Sequence, residues 1–196
     1  MKKSILIFCG VIMFSCLLNA QQQTPQLLKE PSTWEFERFT LPPSFAPTIP
    51  FKGAEELRFS PGMFIKDSAN YFSYAFVAEF DDTKSVSQAD IQSYLLTYFK
   101  GLCSSTAKNR NLTIDTSQIS VAVEIKNHSQ KIYNAVLHIF GVFADGAPVT
   151  LNMEIKEMND AKTNKTYLLF IASPHDKMNV IWKKLYEIQA EFAIPE

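Results

Sequence analysis

The chain has few cysteines and almost no net charge. Its 196 residues include 3 Cys, and 19 Lys and Arg nearly balance 20 Asp and Glu, for a net charge of -1. A disulfide-rich scaffold needs more cysteine, and a disordered tail or a nucleic-acid-binding domain usually carries a large excess of one charge. We therefore exclude these three classes and expect no nucleic-acid partner.

Glycine and the common catalytic motifs are also rare or missing. The 6 Gly and 10 Pro exclude collagen-like and low-complexity chains. The sequence contains no Gly-rich phosphate loop, G-x-S-x-G, H-E-x-x-H or C-x-x-C motif, which accompany nucleotide binding, serine hydrolysis, zinc proteolysis and thiol redox chemistry. The three histidines show no spacing typical of a metal site. We predict no cofactor and no metal, and the balance favours a protein that is not an enzyme.

One long apolar run is present, at the N-terminus. Lys2 and Lys3 precede an uncharged apolar run over residues 5–18. The small residue Ala20 and three glutamines at 21–23 follow shortly after it. This order is typical of a secretory signal peptide, and the run is shorter than the roughly 17 to 25 residues that a membrane span needs. We predict a signal peptide at 1–20 and a periplasmic or secreted protein with no transmembrane span after cleavage. The alternative is a lipoprotein anchored through Cys16, although the residues before it depart from the usual pattern.

The rest of the chain is predicted to be one domain. Residues 21–32 are polar, contain two prolines and lack a hydrophobic period, which indicates a flexible leader. Residues 33–196 contain no internal repeat and no second hydrophobic pattern, which favours a single globular domain. Four prolines between Pro42 and Phe51 exclude a helix or a central strand there and predict an extended segment lying on the body of the domain.

Alternating apolar and polar residues predict a series of strands. The predicted strands cover residues 34–38, 55–59, 71–80, 119–126, 131–142, 149–157 and 166–172. Polar turns separate the last four, which favours an antiparallel meander.

Two segments have the apolar period of a helix. The first follows Ser87, a good N-cap residue with Asp90 three positions later, and is predicted from Gln88 to Lys108. The second is predicted to begin after an N-cap at Ser173, because proline and an acidic residue follow it closely. Together these elements predict an α+β fold, a mostly antiparallel, twisted sheet of five to seven strands with two long helices packed on it.

A polar patch is the first candidate site. His138 shares a strand face with Asn134, while Asn152 and Glu154 share a face of the next strand. If the register brings them together, they form a pocket with a titratable imidazole. The alternative, which we favour, is a solvent-facing surface or a histidine held by an Asn or Glu neighbour.

A cysteine and two acidic pairs are weaker candidates. Cys103 lies beside the apolar stripe of the first helix, so we expect a buried structural thiol rather than a nucleophile. The pairs Glu55-Glu56 and Asp81-Asp82 lie next to turns, and adjacent strand residues point to opposite faces. We expect solvated charges there rather than an acid–base or calcium site.

Aromatic residues supply the remaining signal, with 16 Phe, 7 Tyr and 2 Trp. Most must be core, but Phe45 and Phe51 of the proline-rich segment are candidates for lining a groove. We therefore predict an exported, non-enzymatic binding module for an apolar small molecule or a protein partner. The alternative is a small hydrolase or transferase that uses His138 or Cys103.

Overall fold

The computed structural model describes residues 27–82 and 85–194, in which seven strands form one antiparallel sheet. The strands are β1 (Glu35–Leu41), β2 (Gly53–Phe59), β3 (Tyr74–Phe80), β4 (Ser120–Asn127), β5 (Ile132–Phe140), β6 (Pro148–Asp160) and β7 (Lys165–Ser173). Their order across the sheet is β1-β2-β3-β7-β6-β5-β4. The predicted signal peptide at 1–20 and the first part of the predicted leader lie outside the described residues.

Two antiparallel meanders build the sheet. Strands β1 to β3 form the first, and α1 (Gln88–Asn109) then carries the chain to the opposite edge, where β4 begins the second. The second meander returns until β7 pairs with β3 at the centre. The predicted α+β fold and the predicted meander of the last four strands are both confirmed.

Helix α1 begins where its local sequence predicts. The Ser87 side chain accepts a hydrogen bond from the backbone N–H of Asp90, and the Asp90 carboxylate accepts one from the backbone N–H of Ser87. This reciprocal pair satisfies two donors that a helix start leaves exposed. The predicted N-cap and start are confirmed, and the helix ends one residue beyond the predicted Lys108.

Helix α2 (Val180–Glu191) begins later than the sequence pattern suggests, so the prediction of an N-cap at Ser173 is wrong. Ser173 is the last residue of β7, and its hydroxyl shares a hydrogen bond of 2.8 Å with that of Ser73, which follows from the pairing of β7 with β3. Asn179 caps the helix instead, because its side chain accepts from the N–H of Ile181.

The sheet separates two apolar layers. On one face, α1 covers a large cluster that includes Phe76 and Phe170. On the other, α2 places Trp182 and Leu185 against a smaller cluster. Strands β3 and β7 are covered on both faces, which explains why β7 is apolar along its whole length. Neither helix in the described part of the chain is long and apolar enough to cross a membrane.

The proline-rich segment between β1 and β2 lies on α1, but it is not extended as predicted. Two successive turns form it, in which Ala46 N–H donates to the carbonyl of Pro43 and Ile49 N–H donates to that of Ala46. The segment crosses α1 at Gly101, where an added Cβ would lie 2.1 Å from the carbonyl oxygen of Phe45. This close crossing fixes the position of Phe45 over the helix.

The N-terminal segment over residues 27–34 packs on the opposite face of the sheet. The Glu56 carboxylate accepts hydrogen bonds of 2.8 Å from the N–H groups of Leu27 and Leu28. The Arg58 guanidinium donates to three backbone carbonyls of the same segment. Residues 27–32, the end of the predicted flexible leader, are therefore held by two charged side chains of β2.

Candidate functional site

A cavity of about 630 Å³ opens on the α1 face, between the β1–β2 edge of the sheet, the proline-rich segment and the loop after β2. Its volume is within the range of small-molecule sites, roughly 300 to 1,000 Å³. Seven aromatic residues line it, namely Phe39, Phe45, Phe59, Phe72, Tyr74, Tyr98 and Phe143. Glu37 is the one charged residue among the described residues of its wall.

Strand and helix periodicity explain how β1 and α1 place side chains in one wall of the cavity. Glu37 and Phe39 alternate along β1 onto the α1 face, and the register sets Glu37 opposite Leu57 and Phe39 opposite Glu55. From the helix, Tyr98 and Leu102 are one turn apart and face the same space. An apolar wall with a carboxylate on it is the result.

Phe45 forms the roof of the cavity. Its ring meets that of Tyr98 edge-on, with 5.0 Å between the centroids, and that of Phe39 at 6.3 Å. Such edge-to-face contacts are the favoured arrangement of aromatic pairs. Phe45, predicted as a ligand-binding residue, therefore does line a cavity.

The loop after β2, residues 60–73, supplies the opposite wall. Phe72 has a left-handed backbone conformation, with φ of 49°, and its N–H donates to the carbonyl of Met63. Its ring lies 6.1 Å from that of Tyr74 and 5.9 Å from that of Phe143. These rings contact one another and form one continuous aromatic wall.

A buried carboxylic acid lies behind this lining. Glu55 is fully buried and accepts hydrogen bonds from the hydroxyls of Tyr94 at 2.6 Å and Tyr98 at 2.8 Å. Burial raises the pKa of Glu55 from 4.5 to about 7, against the effect of the two tyrosine hydrogen bonds, and the negative charge of Glu37 adds to the rise. The group therefore changes its protonation near neutral pH.

The prediction that Glu55 and Glu56 are solvated charges is wrong. Both are fully buried, because β2 has a covering layer on each face, and they point to opposite sides as strand alternation requires. The sequence does carry one sign of the Glu55 site, since Tyr94 and Tyr98 are four residues apart on one helix face. Asp81 and Asp82 are exposed, as expected.

Glu37 lies at the mouth of the cavity and keeps contact with solvent. Partial loss of its hydration raises the pKa of this carboxyl from its ordinary value. Within residues 27–82 and 85–194, no Lys or Arg forms an ion pair with it.

Phe51 does not belong to the cavity wall. Its ring stacks on that of Phe80, with centroids 4.3 Å apart, and meets Tyr94 edge-on. The two phenylalanines that the sequence groups together therefore differ, since Phe45 lines the cavity and Phe51 supports the core.

The predicted polar patch lies on the other face of the sheet, away from the cavity. Register places Asn134 beside Glu154, whereas Asn152 pairs with Val136. Glu154 is buried and bound by Lys126 at 2.5 Å and by the hydroxyl of Tyr186 at 3.3 Å.

His138 is exposed on that same face, with its Nδ1 atom 3.1 Å from the hydroxyl of Thr150. The recess beside it measures about 150 Å³. This exposed position fits the alternative interpretation, in which His138 lies on a solvent-facing surface.

Cys103 is buried on the α1 face, as expected of a structural thiol. Its Sγ atom lies 3.8 Å from the carbonyl oxygen of Phe140, and burial raises the pKa of the thiol. The sheet separates Cys103 from His138, so these two residues do not form a nucleophile–base pair. No group of three or more His, Cys, Asp or Glu side chains suited to a metal ion occurs in the described part of the chain.

Comparisons with known proteins find no match for this chain. No protein-family model matches it, and neither the curated proteins nor the solved structures give a significant match. The chemistry of the cavity is therefore the basis on which we infer function.

Proposed function

We propose that the chain is an exported, non-enzymatic binding protein for an apolar small molecule. The observation that carries this proposal is the cavity of about 630 Å³ with seven aromatic residues in its wall. Ligand sites are concave and mostly apolar, with a few polar groups that orient the ligand. Glu37 is the charged group of the wall that can fill that second role.

The shape of the site favours a small molecule over a protein partner. Phe45 and the prolines beside it line one side of the cavity, and Phe72 and Phe143 contact each other in another part of its wall. A stable protein interface usually needs a broad patch of roughly 800 Å² on each partner. A roofed cavity of this size suits a ring system or a short chain better.

Export is supported by the charged, apolar and small-residue order of positions 1–20. A periplasmic or secreted location follows from it, and anchoring through Cys16 is the alternative. The denatured mass of the protein purified from its own cells distinguishes cleavage after residue 20 from an acylated Cys16.

The alternative of a hydrolase or transferase gains no support from the geometry. Cys103 and His138 lie on opposite faces of the sheet, the thiol is buried with a raised pKa, and the imidazole lies on an exposed surface. Activation of a thiol needs a base within hydrogen-bond reach.

A fluorescence titration tests the binding proposal. The probe is N-phenyl-1-naphthylamine, a neutral aromatic molecule that becomes brighter in apolar surroundings. We expect saturable binding to the wild type and affinity about tenfold weaker for Phe45→Ala, because removal of one wall ring costs on the order of 1.4 kcal/mol.

Phe51→Ala is the matched control, since it deletes the same side chain from the core beside the cavity. We expect it to lower the melting temperature and to bind the probe nearly as well as the wild type while folded. Failure of the wild type to bind, or a larger loss of affinity in Phe51→Ala than in Phe45→Ala, would contradict the proposal.

A further inference from the structure

Both arginines of β1 and β2 lie on the face of the sheet away from the cavity. Arg38 and Arg58 point away from the cavity, where Arg38 pairs with Glu56 and Arg58 lies over the ring of Phe36 at 5.0 Å. Glu37 and Glu55, from the same two strands, point toward the cavity side. Strand alternation thus places Glu37 and Glu55 on the cavity side and both arginines of these strands on the opposite side.

The two acids are also close to each other. Glu37 is opposite Leu57, and Glu55 is opposite Phe39, so the two carboxyl groups are diagonal neighbours on one face of the β1–β2 pair. Diagonal neighbours in a sheet are roughly 7 to 8 Å apart. The exposed carboxylate of Glu37 supplies negative charge at the mouth of the cavity, and Glu55 adds to it in its ionised form.

The aromatic wall acts in the same direction. The face of an aromatic ring is electron-rich and attracts a cation placed over it, and the attraction grows when water is excluded. The rings of Phe39, Phe45 and Tyr98 form one connected group on the side of Glu37. A positive group held there would lie among these rings and beside a carboxylate.

The hydroxyl of Tyr98 gives a further reason to disfavour an anion. This hydroxyl donates its proton to Glu55 at 2.8 Å, so it is not available as a donor to a negatively charged ligand. An anion in the cavity would therefore lie near one exposed and one buried acid without a described cation in the wall to balance it.

We propose that the cavity binds an apolar molecule that carries a cationic group, with its ring or chain among the aromatic side chains and its ammonium group beside Glu37. This inference rests on the proposed function and adds the chemical class of the ligand. A neutral apolar ligand and an apolar carboxylate are the competing classes.

Three probes of similar size and different charge test it by isothermal titration calorimetry at neutral pH. They are 1-naphthylmethylammonium, the neutral 1-naphthalenemethanol and the anionic 1-naphthoate. We expect the wild type to bind the ammonium about tenfold more tightly than the alcohol, through the added cation–π and carboxylate contacts, and the naphthoate most weakly. Equal affinity for the ammonium and the alcohol, or tighter binding of the naphthoate, would overturn the inference.

Glu37→Gln assigns the preference to a residue. We expect this variant to bind the ammonium and the alcohol within about twofold of each other while its affinity for the alcohol stays unchanged. Glu35→Gln is the matched control, because Glu35 is exposed on the same strand and does not line the cavity. Loss of the preference in Glu35→Gln and not in Glu37→Gln would contradict the assignment.

The outcomes separate the two proposals. Binding of the alcohol without a preference for the ammonium leaves the proposed function in place and overturns the ligand class alone. If neither the three probes nor N-phenyl-1-naphthylamine binds, both proposals are overturned.

Discussion

At the scale of single residues, Glu55 and Glu56 show how one strand separates two functions. Glu55 points toward the cavity side and meets two tyrosine hydroxyls, whereas Glu56 binds the backbone of the N-terminal segment. Because both are fully buried, each needs hydrogen-bond partners to offset the loss of water.

Glu55 should make the stability of the protein depend on pH. Its pKa is about 7 in the folded state against an ordinary value of 4.5. A raised pKa means that the stabilising contribution is complete below about pH 4.5 and is lost as the pH rises through about 7. At about 1.4 kcal/mol for each pKa unit, the loss is on the order of 3 kcal/mol in the free energy of unfolding.

Glu55→Gln should remove most of this dependence, because the amide cannot ionise. We expect urea unfolding of the wild type to give a lower free energy of unfolding at mildly basic pH than at mildly acidic pH, and a smaller difference for the variant. The exposed Glu35→Gln serves as the control. A variant with the same pH dependence as the wild type would show that Glu55 is not the group responsible.

At the scale of elements, the proline-rich segment and α1 depend on a close contact. Gly101 allows the backbone of the segment to approach the helix, since a Cβ there would lie 2.1 Å from the carbonyl oxygen of Phe45. The contact also sets the height of the cavity roof, because Phe45 forms that roof.

Gly101→Ala should therefore destabilise the protein, although alanine in place of glycine usually stabilises a helix by about 1 kcal/mol. The added methyl group must displace the backbone of the segment, so we expect the free energy of unfolding to fall by more than about 1 kcal/mol. Ser104→Ala, at an exposed position of α1, is the control and should change stability little. A melting temperature that rises in Gly101→Ala would contradict the close crossing.

Local signals predict the elements whose causes are local. The capping residues of α1 and the polar turns between β4 and β7 lie within a few residues of the structure they determine, and both predictions are confirmed. The predicted start of α2 is wrong because Ser173 has the composition of an N-cap but belongs to a strand that pairs with residues about 100 positions earlier. Pairing at that distance leaves no local pattern.

The cavity is harder to predict than the fold for the same reason. Phe45 could be proposed from the sequence, because aromatic residues beside several prolines are unusual. The other rings come from β1, β2, the loop over residues 60–73, β3, α1 and the turn after β5, and only the folded chain brings them together. The burial of Glu55 likewise depends on α1, which begins more than 30 residues later.

At the scale of the whole molecule, the two faces of the sheet have different roles. One face holds α2 and the N-terminal segment, which Glu56 and Arg58 bind tightly. The other holds α1 over most of the sheet and leaves the cavity at the β1–β2 edge. We therefore expect a ligand to bind in this cavity rather than at the exposed patch around His138 or on the surface of α2.

Methyl NMR of the protein labelled with ¹³C at its methionine methyl groups shows where a ligand binds. Met63 lines the cavity, Met153 lies in the core and Met178 is exposed beside α2, so the three methyl groups report on three regions. On titration with 1-naphthalenemethanol, we expect a saturable ring-current shift of the Met63 signal, which is assigned with Met63→Leu, while the signals of Met153 and Met178 stay unchanged. A shift confined to Met178, or no saturable shift at Met63, would contradict it.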